Sequence, residues 1–244
     1  MTALFTPGRY AAIDCGTGSI RVLIADVSTA GILTPVDKLQ LEHEIGADLT
    51  ETGGIRDATA QLLVQHVQTF MDLFARHQVE HVVAVATESL RWATNGAAVM
   101  AMLMAETGTP FEVLNGQDEL LISLLGAQEY LGHMAEPYLF FDSGGGSTEI
   151  GVVNPQGITS QGGMILHGTS LPVGAARLAA DMKKYGDITP PEAFHAMLAE
   201  VQKRFAEAMS GWGCDDSKIP VIAAGTPLYL MRYWKKEQIG RAHV

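Results

Sequence analysis

An α/β fold made of two similar halves is predicted for this chain of 244 residues, on three observations. Short apolar runs alternate with longer stretches whose apolar residues recur at helical spacing. Two of those runs end in an aspartate followed by a glycine-rich turn. The two segments, Tyr10-Ala-Ala-Ile-Asp14-Cys-Gly-Thr-Gly-Ser19 and Tyr138-Leu-Phe-Phe-Asp142-Ser-Gly-Gly-Gly-Ser147-Thr148, repeat one pattern half a chain apart.

Taken in order, Tyr10–Ile13 reads as a strand closed by Asp14, and the β-branched run Ile20–Val27 as its hairpin partner. Arg56–His77 is predicted helical, with Leu62, Leu63, Val67, Phe70, Met71 and Phe74 on one face. His81–Ala86 is a strand, Gly96–Glu106 a helix capped by Asn95, Phe111–Leu114 a short strand and Gln117–Leu131 a helix. Tyr138–Phe141, closed by Asp142, pairs with Glu149–Val153 in the second hairpin. Pro191–Met209 is helical after Thr189, where proline near the first turn is favoured, and Pro220–Ala224 is the last strand. Gly132 and Pro137 interrupt the pattern, so the domains are predicted as 1–132 and 133–244.

Composition removes several function classes. With 16 Lys+Arg against 27 Asp+Glu, a net charge of −11 and no basic run, the chain lacks the electrostatic footprint of a nucleic-acid-binding protein. A membrane span needs about 18 apolar residues in a row, and no run reaches that length. The N-terminus lacks the basic start and apolar core of a signal peptide, and two cysteines, Cys15 and Cys214, are too few for a disulfide scaffold. A cytoplasmic protein is expected. The eight histidines are scattered, and a zinc site is not expected. No lysine follows the glycines as in a P-loop, no G-x-G-x-x-G enters a helix, and no G-x-S-x-G elbow is present.

A turn of glycine, serine and threonine between two strands offers backbone N–H groups and hydroxyls to an oxyanion. Gly16, Thr17, Gly18 and Ser19 form one such loop; Gly144, Gly145, Gly146, Ser147 and Thr148 form the other. Either alone reads equally well as a tight hairpin. Two copies, each behind an aspartate, point to a two-sided cradle for a phosphate chain across a cleft. Asp14, Asp142 and Glu149 are candidate ligands of a divalent cation there. Arg91 has the fork geometry to clamp a phosphate, and a surface arginine is the equal alternative. Cys15 reads as a small loop filler before a nucleophile. By spacing alone, Glu119 is an acid suited to the start of a helix.

These segments resemble the exopolyphosphatase/guanosine pentaphosphate phosphohydrolase family, within the superfamily of acetate kinase, sugar kinases, Hsp70 and actin. The resemblance runs in order through Ala12–Arg21, Ala86–Asn95, Val113–Glu119, Asp142–Glu149, Ser170–Leu178 and Ala224–Thr226. It implies two actin-like (ribonuclease H-like) domains around a cleft, and it implies Glu119 as the base that activates water. It further implies Mg²⁺ as cofactor and release of terminal phosphate from inorganic polyphosphate or guanosine pentaphosphate, with guanosine tetraphosphate as a related ligand. A homodimer is compatible with it. The alternatives are a kinase or ATPase of the same superfamily and a non-catalytic sensor of phosphate ligands. Gly18 stands where the family carries asparagine. Asp118-Glu119-Leu120-Leu121 stands where two glutamates, alanine and arginine are usual. Lys236–Val244 does not resemble a domain end, so the second domain is expected to be incomplete.

Overall fold

The computed structural model describes residues 6–131, 135–159, 162–183, 191–213 and 219–225. Cys214, Thr226, the break at Gly132 and the segment Lys236–Val244 lie outside the described residues. The chain divides into two compact units, Met1–Leu114 and Asn115–Val244, and each holds one sheet.

The first unit runs β1 (Gly8–Cys15), β2 (Ser19–Val27), β3 (Leu33–Glu42), α1 (Ile45–Thr52), α2 (Asp57–His77), β4 (His81–Ala86), α3 (Glu88–Trp92), α4 (Gly96–Thr107) and β5 (Glu112–Val113). Its sheet has the order β3-β2-β1-β4-β5. The first three strands form an antiparallel meander; β4 runs parallel to β1, and β5 parallel to β4. Alternation buries Ala11, Ile13 and Cys15 of β1 with Ile20, Val22 and Ile24 of β2 on one face. The apolar stripe of α2, including Leu63, Val67, Phe70 and Phe74, joins them in the core with Val99 and Leu103 of α4.

The second unit runs α5 (Gly116–Leu131), β6 (Tyr138–Ser143), β7 (Thr148–Thr159), β8 (Gly162–Leu171), α6 (Ala175–Lys183), α7 (Pro191–Met209) and β9 (Val221–Gly225). Its sheet order, β8-β7-β6-β9, is the order of the first sheet with β6 in the place of β1. Again the first three strands are antiparallel, and the fourth is parallel to the first. The repeat seen in the two loops therefore extends to whole units, and the predicted α/β class with two like halves holds.

One boundary differs from expectation. The helix that was assigned to the first domain packs on the second sheet. Its Leu120 and Leu124 are buried with Tyr138, Phe140 and Val153. The seat is made by two glycines directly opposite each other, Gly151 on β7 and Gly168 on β8. A β-carbon would lie 3.0 Å from Leu120 Cδ2 at position 151 and 2.6 Å from it at position 168. Gly168→Ala is therefore expected to cost about 1–3 kcal/mol by overpacking. Leu120→Ala alone is expected to cost about 2–5 kcal/mol through the cavity it leaves. In urea denaturation the double variant should lose less than the sum, because the two changes share one space.

The strands β3 and β8 and the helices α1, α3 and α6 were not among the predicted elements. Among the described residues no helix is long and apolar enough to cross a membrane.

Candidate active site

The two glycine loops have the same backbone closure. Gly16 N–H donates to Ser19 O at 3.0 Å, and Gly144 N–H donates to Ser147 O at 2.9 Å. Each loop links strands in matching register, with Cys15 opposite Ile20 in one and Ser143 opposite Thr148 in the other.

Each loop is also held by its carbonyls. In the second unit the start of α6 supplies the donors. Ala175 N–H bonds Gly144 O at 3.0 Å, while Ala176 and Arg177 N–H bond Gly145 O at 2.8 and 3.2 Å. Arg177 Nε adds a bond to Gly146 O at 3.2 Å. These contacts satisfy N–H groups that a helix start leaves without partners. They also orient the loop, because C=O and the next N–H point oppositely across a trans peptide. With the carbonyls turned to α6, the N–H groups of Gly145, Gly146 and Ser147 face away from it. In the first unit the Ser89 hydroxyl bonds Gly16 O at 3.3 Å, and Gly46 N–H, in the first turn of α1, bonds Thr17 O at 3.0 Å. The N–H groups of Thr17 and Gly18 are turned away in the same manner. Gly18 has open space where a β-carbon would stand.

Acidic groups gather at the loop end of the sheet face that α5 covers. Asp142 on β6 and Glu149 on β7 are directly paired, one step before the loop, and paired residues share a face. Phe140, two residues before Asp142, lies in the core that α5 covers, and Gly151, two after Glu149, seats Leu120. Alternation puts the side chains of Phe140, Asp142 and Glu149 on the α5 side. Glu149 is 3 % exposed, and its Oε1 accepts from Ser170 Oγ at 2.7 Å. Burial pushes its carboxyl above the usual range and the Asp142 charge adds to this, while hydroxyl bonds from Ser170 and Ser147 oppose it.

Glu119 reaches this end through α5. Gly116 sits against Ser170 so closely that a β-carbon on it would lie 2.3 Å from Ser170 Cβ, and Gln117 Nε2 donates to Gly168 O at 2.8 Å. Residues three apart share a helix face, so Glu119 lies on the same side as Gly116, and its Oε2 is buried. The turn is started by Asn115, whose Oδ1 accepts from Gln117 N and Asp118 N at 2.9 and 3.0 Å. Asp118 Oδ2 accepts from Asn115 Nδ2 at 2.6 Å, which makes Asp118 part of the cap.

Other candidates are placed differently from the sequence reading. Thr148 is 1 % exposed and its hydroxyl donates to Val173 O at 2.5 Å, so it fastens the loop from within and is not presented to a phosphate. Ser147 is 4 % exposed, with its hydroxyl bonded to Glu149. The backbone of Ser147, not its side chain, is what the loop offers. Arg91 lies on α3, with its side chain exposed and its Nη1 donating to Leu114 O. Asp14, one residue before the end of β1, lies opposite Arg21. Cys15 is fully buried, which pushes its thiol up to about 12 and keeps it protonated, as befits a loop filler. Among the described residues no three His, Cys, Asp or Glu side chains converge on a common point suited to a metal ion.

Sequence reasoning missed Ser170, Gly174 and Arg177 as parts of this site, although all three lie in the quoted segment Ser170–Leu178. Their partners are remote in sequence, so spacing carries no signal of the contacts. The Asn115-Gly-Gln-Asp118 cap is readable as an Asn-x-x-acid start of a helix.

The profile of the Ppx/GppA phosphatase family matches residues 23–217. The chain belongs to that family. Exopolyphosphatase 2 of Mycobacterium tuberculosis is 35% identical over 150 residues, covering 58% of this chain and 47% of that protein. A Ppx/GppA family member from Aquifex aeolicus aligns in structure with a TM-score of 0.65 at 25% identity, over 83% of this chain and 63% of the other. An exopolyphosphatase-like protein aligns with a TM-score of 0.77 at 25% identity, over 89% and 66%. The chain spans about half the length of the curated relatives it matches.

A pH test follows from the buried acid of this Ppx/GppA chain. A carboxyl whose native pKa lies above its unfolded value stabilises the fold below the unfolded value, and that stability is lost as the pH rises through the native pKa. Glu149→Gln keeps the hydrogen-bonding shape without the charge. In chelator, it is expected to raise the thermal midpoint at pH 8 and to leave it nearly unchanged at pH 4.

Proposed function

We propose that this protein is a phosphohydrolase that releases terminal phosphate from inorganic polyphosphate or guanosine pentaphosphate by attack of water. One observation carries the reading. Asp142 and Glu149 are paired at one end of a sheet face, and the first turn of α5, which carries Glu119, packs on Ser170 opposite Glu149, beside a loop whose N–H groups are turned outward.

Phosphoryl transfer depends chiefly on positioning and on stabilising charge as it spreads over the transferred group. The N–H groups of Gly145, Gly146 and Ser147 would hold that group, and those of Thr17 and Gly18 have the matching geometry in the first unit. Arg91 would bind a phosphate through its guanidinium. Glu119 would align a water and take its proton.

Asp142 and Glu149 fit a divalent cation. They are paired hard oxygen donors, and burial, with the Asp142 charge adding to it, holds Glu149 toward its neutral form. Mg²⁺ prefers one or two carboxylates, with water and phosphate oxygens completing its shell, and two paired acids suit that better than an all-protein cage. When bound, the ion supplies charge neutralisation at the phosphate oxygens. Asp14, at the equivalent strand end of the first unit, would serve the same purpose there.

Phosphate release from polyphosphate, guanosine pentaphosphate and ATP, each with Mg²⁺ and with chelator, tests the reading. Cation-dependent release from either of the first two is expected. Turnover of ATP alone would favour a kinase or ATPase, and tight binding without release would favour a sensor.

A further inference from the structure

Ser170 stands where the buried acid, the strand β8 and the start of α5 meet. It lies directly opposite Glu149 in the β7–β8 register and donates its hydroxyl to Glu149 Oε1 at 2.7 Å. On its other side is the backbone of Gly116. A β-carbon there would fall 2.3 Å from Ser170 Cβ and 3.0 Å from its Oγ. Gln117 pins the same turn to Gly168, two residues back along the strand. Ser170 is thus a single small residue that touches both the carboxylate of Glu149 and the helical turn that carries Glu119.

Size and chemistry both matter at this position. A residue with atoms beyond the γ position would push α5 from its seat. Alanine would keep the seat and remove the hydroxyl, leaving Ser147 as the other hydroxyl bonded to Glu149. We propose that Ser170 is a positioning residue, which fixes the direction of the Glu149 carboxylate relative to the α5 turn bearing Glu119. The proposal rests on the phosphohydrolase reading above. It assigns a role to a part of the Ser170–Leu178 segment that the reaction itself does not use.

The test uses the full chain, with three variants compared with wild type: Ser170→Ala, Ser170→Cys and Thr169→Ala. Thr169 is the control, because neighbouring strand positions point to opposite faces. Kinetics of phosphate release are measured with Mg²⁺, and cation binding is measured separately from the spectroscopic signal of free Mn²⁺. Removing a partner that orients a ligand costs about 10–100-fold in affinity or activity. Ser170→Ala is expected to lower kcat within that range with KM changed less than about twofold, and to weaken Mn²⁺ binding. Its thermal midpoint should stay close to that of wild type. Ser170→Cys, with a weaker donor of similar size, should fall between the two.

A kcat and Mn²⁺ affinity unchanged in Ser170→Ala would overturn the proposal, as would an equal loss in Thr169→Ala. If Ser170→Ala does not fold, wild-type kinetics in Ser170→Cys would overturn it. If wild type releases no phosphate from any substrate, the phosphohydrolase reading fails. The Mn²⁺ comparison still decides the role of Ser170.

Discussion

Glu119→Gln is expected to lower the rate of phosphate release by about 10²–10⁴-fold, the range for loss of a positioned general base. The exchange is nearly isosteric. Glutamine fits the same first turn of α5, leaves the Asn115 cap in place and keeps a hydrogen-bonding oxygen, but it cannot take a proton at neutral pH. The loss should therefore appear in kcat, with KM within about threefold, because a change confined to the transition state lowers kcat and kcat/KM together. The thermal midpoint should not fall. A variant that keeps more than a tenth of wild-type kcat would remove Glu119 from the role of base.

Gly174→Ala should have an effect of similar size by another route. A β-carbon at 174 would lie 2.5 Å from both the carbonyl carbon and the oxygen of Gly145, and 2.6 Å from the carbonyl carbon of Gly146. All three are backbone atoms, so no side chain can rotate to relieve the clash. Either the loop or the start of α6 must shift. Such a shift breaks the bonds from Ala175 and Ala176 N–H that turn the loop N–H groups outward. Displacement of a catalytic group by about 1 Å can cost about 100-fold in rate. Release should fall by about that factor, and stability by about 1–3 kcal/mol in urea denaturation. Wild-type kinetics in this variant would show that the α6 contact does not set the loop.

Much of β1 and β4 in the first sheet and of β6 in the second was legible from the sequence, because they have strand neighbours on both sides and read as near-continuous apolar runs. β3 was not. It is an edge strand, exposed over Leu33–Val36 and interrupted by Pro35, so alternation is confined to its second half, where Leu39 and Leu41 pack on the core. β8 opens with two glycines, and its β7-facing seat for α5 is another glycine, Gly168. The helices α1 and α6 are short and act through their first-turn N–H groups. Backbone donors leave no mark on side-chain pattern. Of the candidate site residues, Thr148 faces inward, because Val173 O receives its hydroxyl.

By itself the sequence determined the α/β class, the doubled hairpin and the glycine-rich turns within it, because these depend on residues that are neighbours in the chain. Only the tertiary structure decided which sheet α5 joins. That choice turns on Gly151 and Gly168, which are distant in sequence but opposed in register. Together they leave a hollow that fits Leu120, and so carry Glu119 to the strand ends that hold Asp142 and Glu149.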